Sequence, residues 1–239
     1  MRKTIESGEL LANRLLATLS ERQLQQLTER SQLVELNFGD YLHEPGETIR
    51  NVYFPTSGVV SVFAVEDQKT FEVGMIGNEG VTGSSIASGV AASPYLAVVQ
   101  GEGVALKMAA ADFLKEFEQN KIFARALNRS GHFLQVQISQ AVVCNRLHLI
   151  ESRLACLLLL MQDRLKSNEF RLKQEFLAKM LGFRRQAVTT AAGRLQQQKI
   201  ISYSRGILLI LDRAGLEKIC CRCYQIVTDE YQSLLAVKS

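Results

Sequence analysis

Leu172–Leu211 reads LKQEFLAKMLGFRRQAVTTAAGRLQQQKIISYSRGILLIL. Phe176, Leu177, Met180 and Leu181 fall at the spacing of one short amphipathic helix. Gly182 follows as a turn residue, because glycine takes a positive φ without steric cost, and Phe183 can fill the space beneath that turn. In the next segment, RRQAVTTAAGRLQQQ, Val188, Ala191, Ala192 and Leu195 share one face. Arg184, Arg185, Gln186, Thr189, Thr190 and Arg194 share the other. Two short helices joined by a glycine, the second presenting Arg, Gln and Thr, form a helix-turn-helix pattern. IISYS and GILLIL then read as strands joined at Tyr203-Ser204-Arg205-Gly206, a hairpin that makes a wing with a polar tip. The competing reading is a helical hairpin with a solvated basic face.

The outward residues suit duplex DNA. Arg pairs bidentately with guanine O6 and N7, Gln with adenine N6 and N7, and a Thr methyl meets the thymine methyl. Arg184, Arg185, Gln186, Thr189 and Thr190 are therefore the expected base readers, with Arg185 and Gln186 foremost because residues near the start of such a helix reach base edges. Arg194, Ser202, Tyr203, Ser204 and Arg205 are the expected phosphate contacts.

Charge follows the same division. Residues 1–146 carry 13 Lys/Arg against 16 Asp/Glu, whereas residues 147–239 carry 15 against 8. A basic module joined to a slightly acidic one points to a polyanion at the C-terminal part only.

Upstream the texture changes. The first thirty residues read as helical, with a start at Ser20 and an apolar face at Leu24 and Leu27. From Leu33 short runs rich in Val, Phe and Tyr alternate with Gly and Pro, the rhythm of a small antiparallel barrel or roll. VTGSSIASGVAASP, residues 81–94, reads as a loop with a short helix. Asp112 is the expected N-cap of DFLKEFEQ. A longer helix is expected over about Ile122–Asn145, where Ala124, Leu127, Gly131, Leu134, Ile138 and Ala141 alternate at spacings of three and four. That is a two-helix coiled-coil seam; the same stripe would also serve a helix packed on its own barrel. Arg146–Leu149 reads as a junction, after which IESRLACLLLLMQDRL is helical and KSNEF breaks the pattern.

The apolar runs fall short of a membrane span, and MRKTIESGELLANRLL lacks the apolar stretch of an export signal. Cytoplasmic residence without membrane contact is the expectation. Five cysteines, none before Cys144, do not make a secreted disulfide framework. Asp212 as N-cap would place Cys220, Cys221 and Cys223 on one helix. Adjacent residues there point apart, so the three are expected to be structural, and no metal site is expected. No nucleophile–base pair or phosphate loop is present to support an enzyme.

The chain resembles the cyclic-AMP receptor protein / fumarate-nitrate reduction regulator (CRP/FNR) family. The resemblance rests on F-G-D-Y-L-x-x-x-G-E at Phe38–Glu47, V-Y-F-P-x-x-G at Val52–Gly58, the long helix and its junction. Most specific is E-F-L-A-K-M-L-G-F-R-R-Q-A-V at Glu175–Val188. It implies an α+β chain with an antiparallel β-roll sensor domain (1–120), a dimerisation helix (121–146) and a winged helix-turn-helix domain (147–239). The implied protein is a homodimer with Leu127, Gly131, Leu134, Ile138 and Ala141 at its interface. It would bind a near-palindromic double-stranded operator and regulate transcription, with RNA polymerase as a further candidate partner. The alternative is a regulatory subunit whose winged domain contacts proteins only.

Gly77, Glu79, Gly80, Ser84 and Ser85 correspond to the effector pocket. Cyclic-nucleotide binders of the family carry an arginine there for the phosphate. Between Arg50 and Arg125 this chain has no arginine, and its cations Lys69, Lys107, Lys115 and Lys121 lie outside the cassette. Cyclic AMP is therefore not the expected effector, and no cofactor is expected. The N-terminal cysteines of the iron–sulfur branch are missing, and His43, His132 and His148 are expected to be ordinary residues rather than haem ligands.

Overall fold

The computed structural model describes residues 12–67 and 69–236; the expectations for residues 1–11 lie outside them. The chain enters through a 3-10 turn at Leu16–Thr18 and helix α1, Glu21–Glu29. Ser20 starts α1 as expected, with its hydroxyl facing the Gln23 amide N–H and the Gln23 side chain accepting from the Ser20 N–H.

Seven strands follow: β1 Ser31–Leu36, β2 Tyr41–His43, β3 Asn51–Pro55, β4 Val59–Glu66, β5 Lys69–Ile76, β6 Leu96–Gly101 and β7 Gly103–Ala109. They form two antiparallel sheets, in the orders β1-β7-β3 and β2-β6-β4-β5. Inward residues of both sheets meet as a β-roll, with Val60, Val99 and Ala105 buried between them. The short helix expected in residues 81–94 is a 3-10 turn at Ser84–Ser88.

Helix α2, Ala110–Gln119, starts two residues before the expected cap. Asp112 lies in its first turn, where a carboxylate suits the positive helix end. Asn120 ends α2 and caps α3, Lys121–Leu147, its Oδ1 accepting from Ile122 and Phe123 N–H at 3.1 Å each. At 27 residues, α3 is about 40 Å long. Its Phe123 packs edge to face on Phe113 of α2 and at a tilt on Phe54 of β3, so its first half is anchored on the roll.

The backbone opens at His148–Leu149, and α4 runs from Ile150 to Leu165. KSNEF is not merely a break: Glu169–Arg171 forms β8 and pairs with the wing. Helices α5, Gln174–Leu181, and α6, Arg185–Gln197, meet at Gly182, whose φ is +67°. Strands β9, Ile201–Ser204, and β10, Ile207–Ile210, complete a sheet in the order β8-β10-β9. Arg205 and Gly206 both have positive φ, which makes the wing tip a type I′ turn.

The C-terminal helix expected from Asp212 is two helices. Asp212 caps α7, Arg213–Ile219, but the chain is extended at Cys220, and α8 begins at Cys223. Leu216 is buried in the winged-domain core, whereas Cys223 and Val227 are buried beside α3. Two burial directions so different cannot be met by one straight helix.

The winged-domain core is continuous with the roll. Val59, Phe63, Met75 and Val98 from β4–β6 join Leu154, Leu158, Leu177, Val188 and Leu208 in one apolar cluster. Phe38 of the roll meets Phe176 of α5 edge to face, with ring centroids 5.6 Å apart.

Candidate functional site

Helix α6 buries Val188, Ala191, Ala192 and Leu195 and leaves Arg184, Arg185, Gln186, Thr189 and Thr190 exposed together at its N-terminal half. Arg184 is the N-cap residue, in an extended conformation and with no side-chain cap. The first-turn N–H groups thus lack a capping acceptor, an arrangement that attracts anions. Arg185 Nε donates to Gln174 Oε1 at 3.3 Å, and Thr189 Oγ1 lies 3.2 Å from the same oxygen. Gln174, at the start of α5, thereby steadies Arg185 from the neighbouring helix; sequence reading missed it, because a lone Gln eleven residues upstream carries no signal. Thr190 Oγ1 donates to the Gln186 carbonyl at 3.0 Å, so its methyl is left as the contact group.

Two of the five expected phosphate contacts are engaged elsewhere. Arg194 sits farther along α6 and pairs with Glu151 in the first turn of α4. Tyr203 turns inward, and its hydroxyl donates to the Leu172 carbonyl at 2.5 Å, pinning β9 to the strand-to-helix segment. A phosphate offers only acceptors, so that spent proton removes Tyr203 from the set. Ser202, Ser204 and Arg205 stay exposed at the wing.

The five expected effector residues also divide. Ser84 and Ser85 line a cavity of about 240 Å³ between the roll and α3, together with His43, Thr82, Tyr95 and Leu134. Glu79 faces away from it. Its carboxylate is buried against Arg164 of α4, with Oε1 at 2.8 Å from Nη2 and 2.9 Å from Nε. A Cβ on Gly77 would lie 3.0 Å from Arg164 Cγ, and one on Gly80 would lie 3.1 Å from Ser130 of α3. These three residues join the roll to helices and do not line the cavity.

Among the described residues no Lys or Arg lines that cavity. His43 is its one imidazole; burial lowers its pKa from 6.5 to about 4, so it is neutral near pH 7. Its Nε2 lies 3.0 Å from Thr82 Oγ1. His132 lies 3.1 Å from Glu230, and His148 beside Cys223.

Three of the five expected seam residues on α3, Leu127, Leu134 and Ala141, face the chain itself. Leu127 is 4% exposed and belongs to the core formed with Phe54 and Phe123. Leu134 packs against β5, where a Cβ on Gly74 would lie 2.8 Å from it. Ala141 lines a cleft facing α4. The stripe Leu127, Leu134, Ala141 therefore turns toward the chain itself. The adjacent stripe Asn128, Gly131, Gln135, Val142 and Asn145 is exposed, with Ala124 and Ile138 half-buried along it. Nothing lies within 4 Å of a Cβ placed on Gly131. Among the described residues no helix is long and apolar enough to cross a membrane.

Residues 152–219 match the Crp-like helix-turn-helix domain. A search among curated proteins finds no match. Solved structures share the fold. A CRP/FNR-family transcriptional regulator from Thermus thermophilus is 17% identical with a TM-score of 0.66, over 79% of this chain and 97% of that one. FixK2 from Bradyrhizobium japonicum is 15% identical with a TM-score of 0.67, over 80% and 98%. The c-di-GMP responsive global regulator CLP from Xanthomonas campestris is 12% identical with a TM-score of 0.66, over 80% and 99%. The chain thus shares the fold of these structures, and its residues 152–219 carry a Crp-like helix-turn-helix domain.

Proposed function

We propose that the protein is a homodimeric, sequence-specific DNA-binding transcription regulator, working with the genome in the cytoplasm. The observation that carries this reading is the exposed Arg184-Arg185-Gln186 and Thr189-Thr190 face on α6, beside a wing tip that carries Arg205. A helix lying in the major groove reads bases with such residues, and a wing holds the backbone.

The homodimer is read from α3. Ala124, Asn128, Gly131, Gln135, Ile138, Val142 and Asn145 alternate at spacings of four and three, the repeat of a two-stranded coiled coil. Glycine inside an exposed helix costs about 1 kcal/mol relative to alanine, and nothing among the described residues requires Gly131 to be small. Close approach of a partner helix supplies the reason. Val142, 65% exposed, supplies apolar area. The polar Asn128, Gln135 and Asn145 would fix the register between the two helices.

Two experiments test this reading. Sites selected from a random oligonucleotide pool should converge on inverted half-sites about one helical turn apart; a pool without enrichment would reject DNA reading. Val142→Asp buries a charge in the seam and should give monomers in sedimentation velocity, together with weakened operator binding. An unchanged dimer would move the interface off this face.

The cavity in the roll supports an uncharged effector. A cyclic phosphate placed among Ser84, Ser85, Thr82 and neutral His43 would meet hydroxyls but no cation among the described residues, and burying an unpaired charge costs several kcal/mol. Titration calorimetry with millimolar cyclic AMP or cyclic GMP should show no saturable heat. A micromolar dissociation constant would overturn this assignment.

A further inference from the structure

All five cysteines gather where α3, α4 and the α7–α8 break converge. Cys144 and His148 lie one helical turn apart at the end of α3. Cys221 lies in the break and Cys223 opens α8, so the extended backbone at Cys220 frees them from the divergence that one helix would impose. The thiols of Cys144, Cys221 and Cys223 and a ring nitrogen of His148 all lie within 4.8 Å of one another.

From these positions we infer that Cys144, His148, Cys221 and Cys223 form a tetrahedral site for a soft divalent metal, zinc by its ligand preference.

The spacing fits the ion. With Zn–S near 2.3 Å and Zn–N near 2.0–2.1 Å, a tetrahedron has S···S edges of about 3.8 Å and S···N edges of about 3.5 Å. Cys144 Sγ lies 3.5 Å from Cys221 Sγ, and Cys223 Sγ lies 3.5 Å from His148 Nδ1. A disulfide needs two sulfurs about 2.05 Å apart and has no use for an imidazole. Three thiols and one imidazole are a common structural zinc set.

The surroundings also suit a metal. Gln140 Nε2 donates to Cys223 Sγ at 3.0 Å, an outer hydrogen bond of the kind that orients a ligating thiolate. On binding, the three thiols release their protons to solvent, leaving three thiolates against a doubly charged ion. Arg153, on the wall of the same cleft as Cys144 and Cys223, offsets the surplus negative charge. Cys156 Sγ lies 3.3 Å from Cys221 Sγ but outside the four-ligand set.

Two ligands end the long helix, and two follow the wing. Between them in the chain lies the His148–Leu149 opening from which the winged domain is hung. A bound ion would close that connection into a ring and fix the winged domain against α3, and loss of the ion would release it.

The test uses the full-length protein, reduced and handled without oxygen, and titrated with cobalt(II). One equivalent per chain should produce thiolate-to-cobalt charge transfer and the intense visible bands of tetrahedral cobalt, and zinc should erase both. Cys144→Ala and Cys223→Ala should each weaken binding at least about tenfold, the loss typical even of outer partners of a metal ligand, whereas Cys220→Ala and Cys156→Ala should bind as the parent does. If a thiol variant fails to fold, His148→Gln serves instead and should shift the visible bands through loss of the nitrogen ligand. No cobalt band in the reduced parent would overturn the site. So would bands left unchanged by Cys144→Ala, Cys223→Ala and His148→Gln, or a Cys144–Cys221 disulfide that persists under reductant. No operator enters the measurement, so its outcome is separate from that of DNA reading.

Discussion

Glu79→Ala is expected to lower the unfolding free energy by about 3–5 kcal/mol, because it strands a buried cation. The side chains of Glu79 and Arg164 are 5% and 8% exposed, so water cannot replace the lost partner. Arg164 also donates to the Leu160 carbonyl and to Gln137 Oε1, each at 3.2 Å. Gln137 Nε2 in turn donates to the Met75 carbonyl at 3.1 Å. One guanidinium thus ties the loop after β5, the middle of α3 and the end of α4 into a single polar network. Removing the carboxylate leaves Arg164 only neutral acceptors.

A buried ion pair and an apolar pair of similar size often differ little in stability. The double variant Glu79→Leu/Arg164→Met should therefore recover most of what Glu79→Ala loses. Urea unfolding at one fixed protein concentration measures both, the fixed concentration being needed because the proposed dimer would add to apparent stability. A Glu79→Ala variant within about 1 kcal/mol of the parent would contradict the account, as would a double variant no better than the single one.

That pair also marks where sequence reading stops. Glu79 and Arg164 are 85 residues apart, and no spacing rule relates them. Read by resemblance, Glu79 belonged to an effector pocket; only the fold shows that its carboxylate points the other way. The helix-turn-helix was legible because its determinants are local: apolar spacing within α5 and α6, the positive φ at Gly182, and two strands around Arg205-Gly206. The roll was legible from its rhythm of strands and turns, though strand order was not.

Which face of α3 packs on the chain itself was not legible. Two stripes one residue apart both carry the three-and-four repeat, and hydrophobicity favours the one containing Leu127 and Leu134. Those leucines are apolar because the chain itself covers them, and the stripe left exposed is the more polar one. Tyr203 and Arg194 were polar residues on plausible faces, and each met an internal partner that only the fold supplies. The cysteine cluster was hidden by a reasonable assumption, that a run beginning at Asp212 continues as one helix through Cys223. Its break comes from burial in two directions, which is a tertiary effect.

Arg185→Ala is expected to weaken binding to the preferred operator by about 1–3 kcal/mol, or roughly 5–150-fold, and to relax preference at one base pair per half-site. Arg185 is the first helical residue of α6, and Gln174 holds its guanidinium at 3.3 Å on the exposed side. A fork presented in this way can meet a guanine edge with both nitrogens. Arg205 is placed differently, in the left-handed region at φ 50° on the wing turn, where phosphates are the nearer targets. Alanine there would add backbone strain to the loss of charge, so Arg205→Asn is the cleaner change, since asparagine tolerates that conformation. Its effect should be similar on every sequence, and the slope of log affinity against log salt should flatten by about one unit for each arginine removed. Binding to a panel of single-base operator variants at several salt concentrations separates the two. Arg185→Ala should flatten the panel at one position and keep most of the salt slope, whereas Arg205→Asn should lower the whole panel evenly. Equal losses on every variant from both substitutions would remove Arg185 from base readout and leave it a backbone contact.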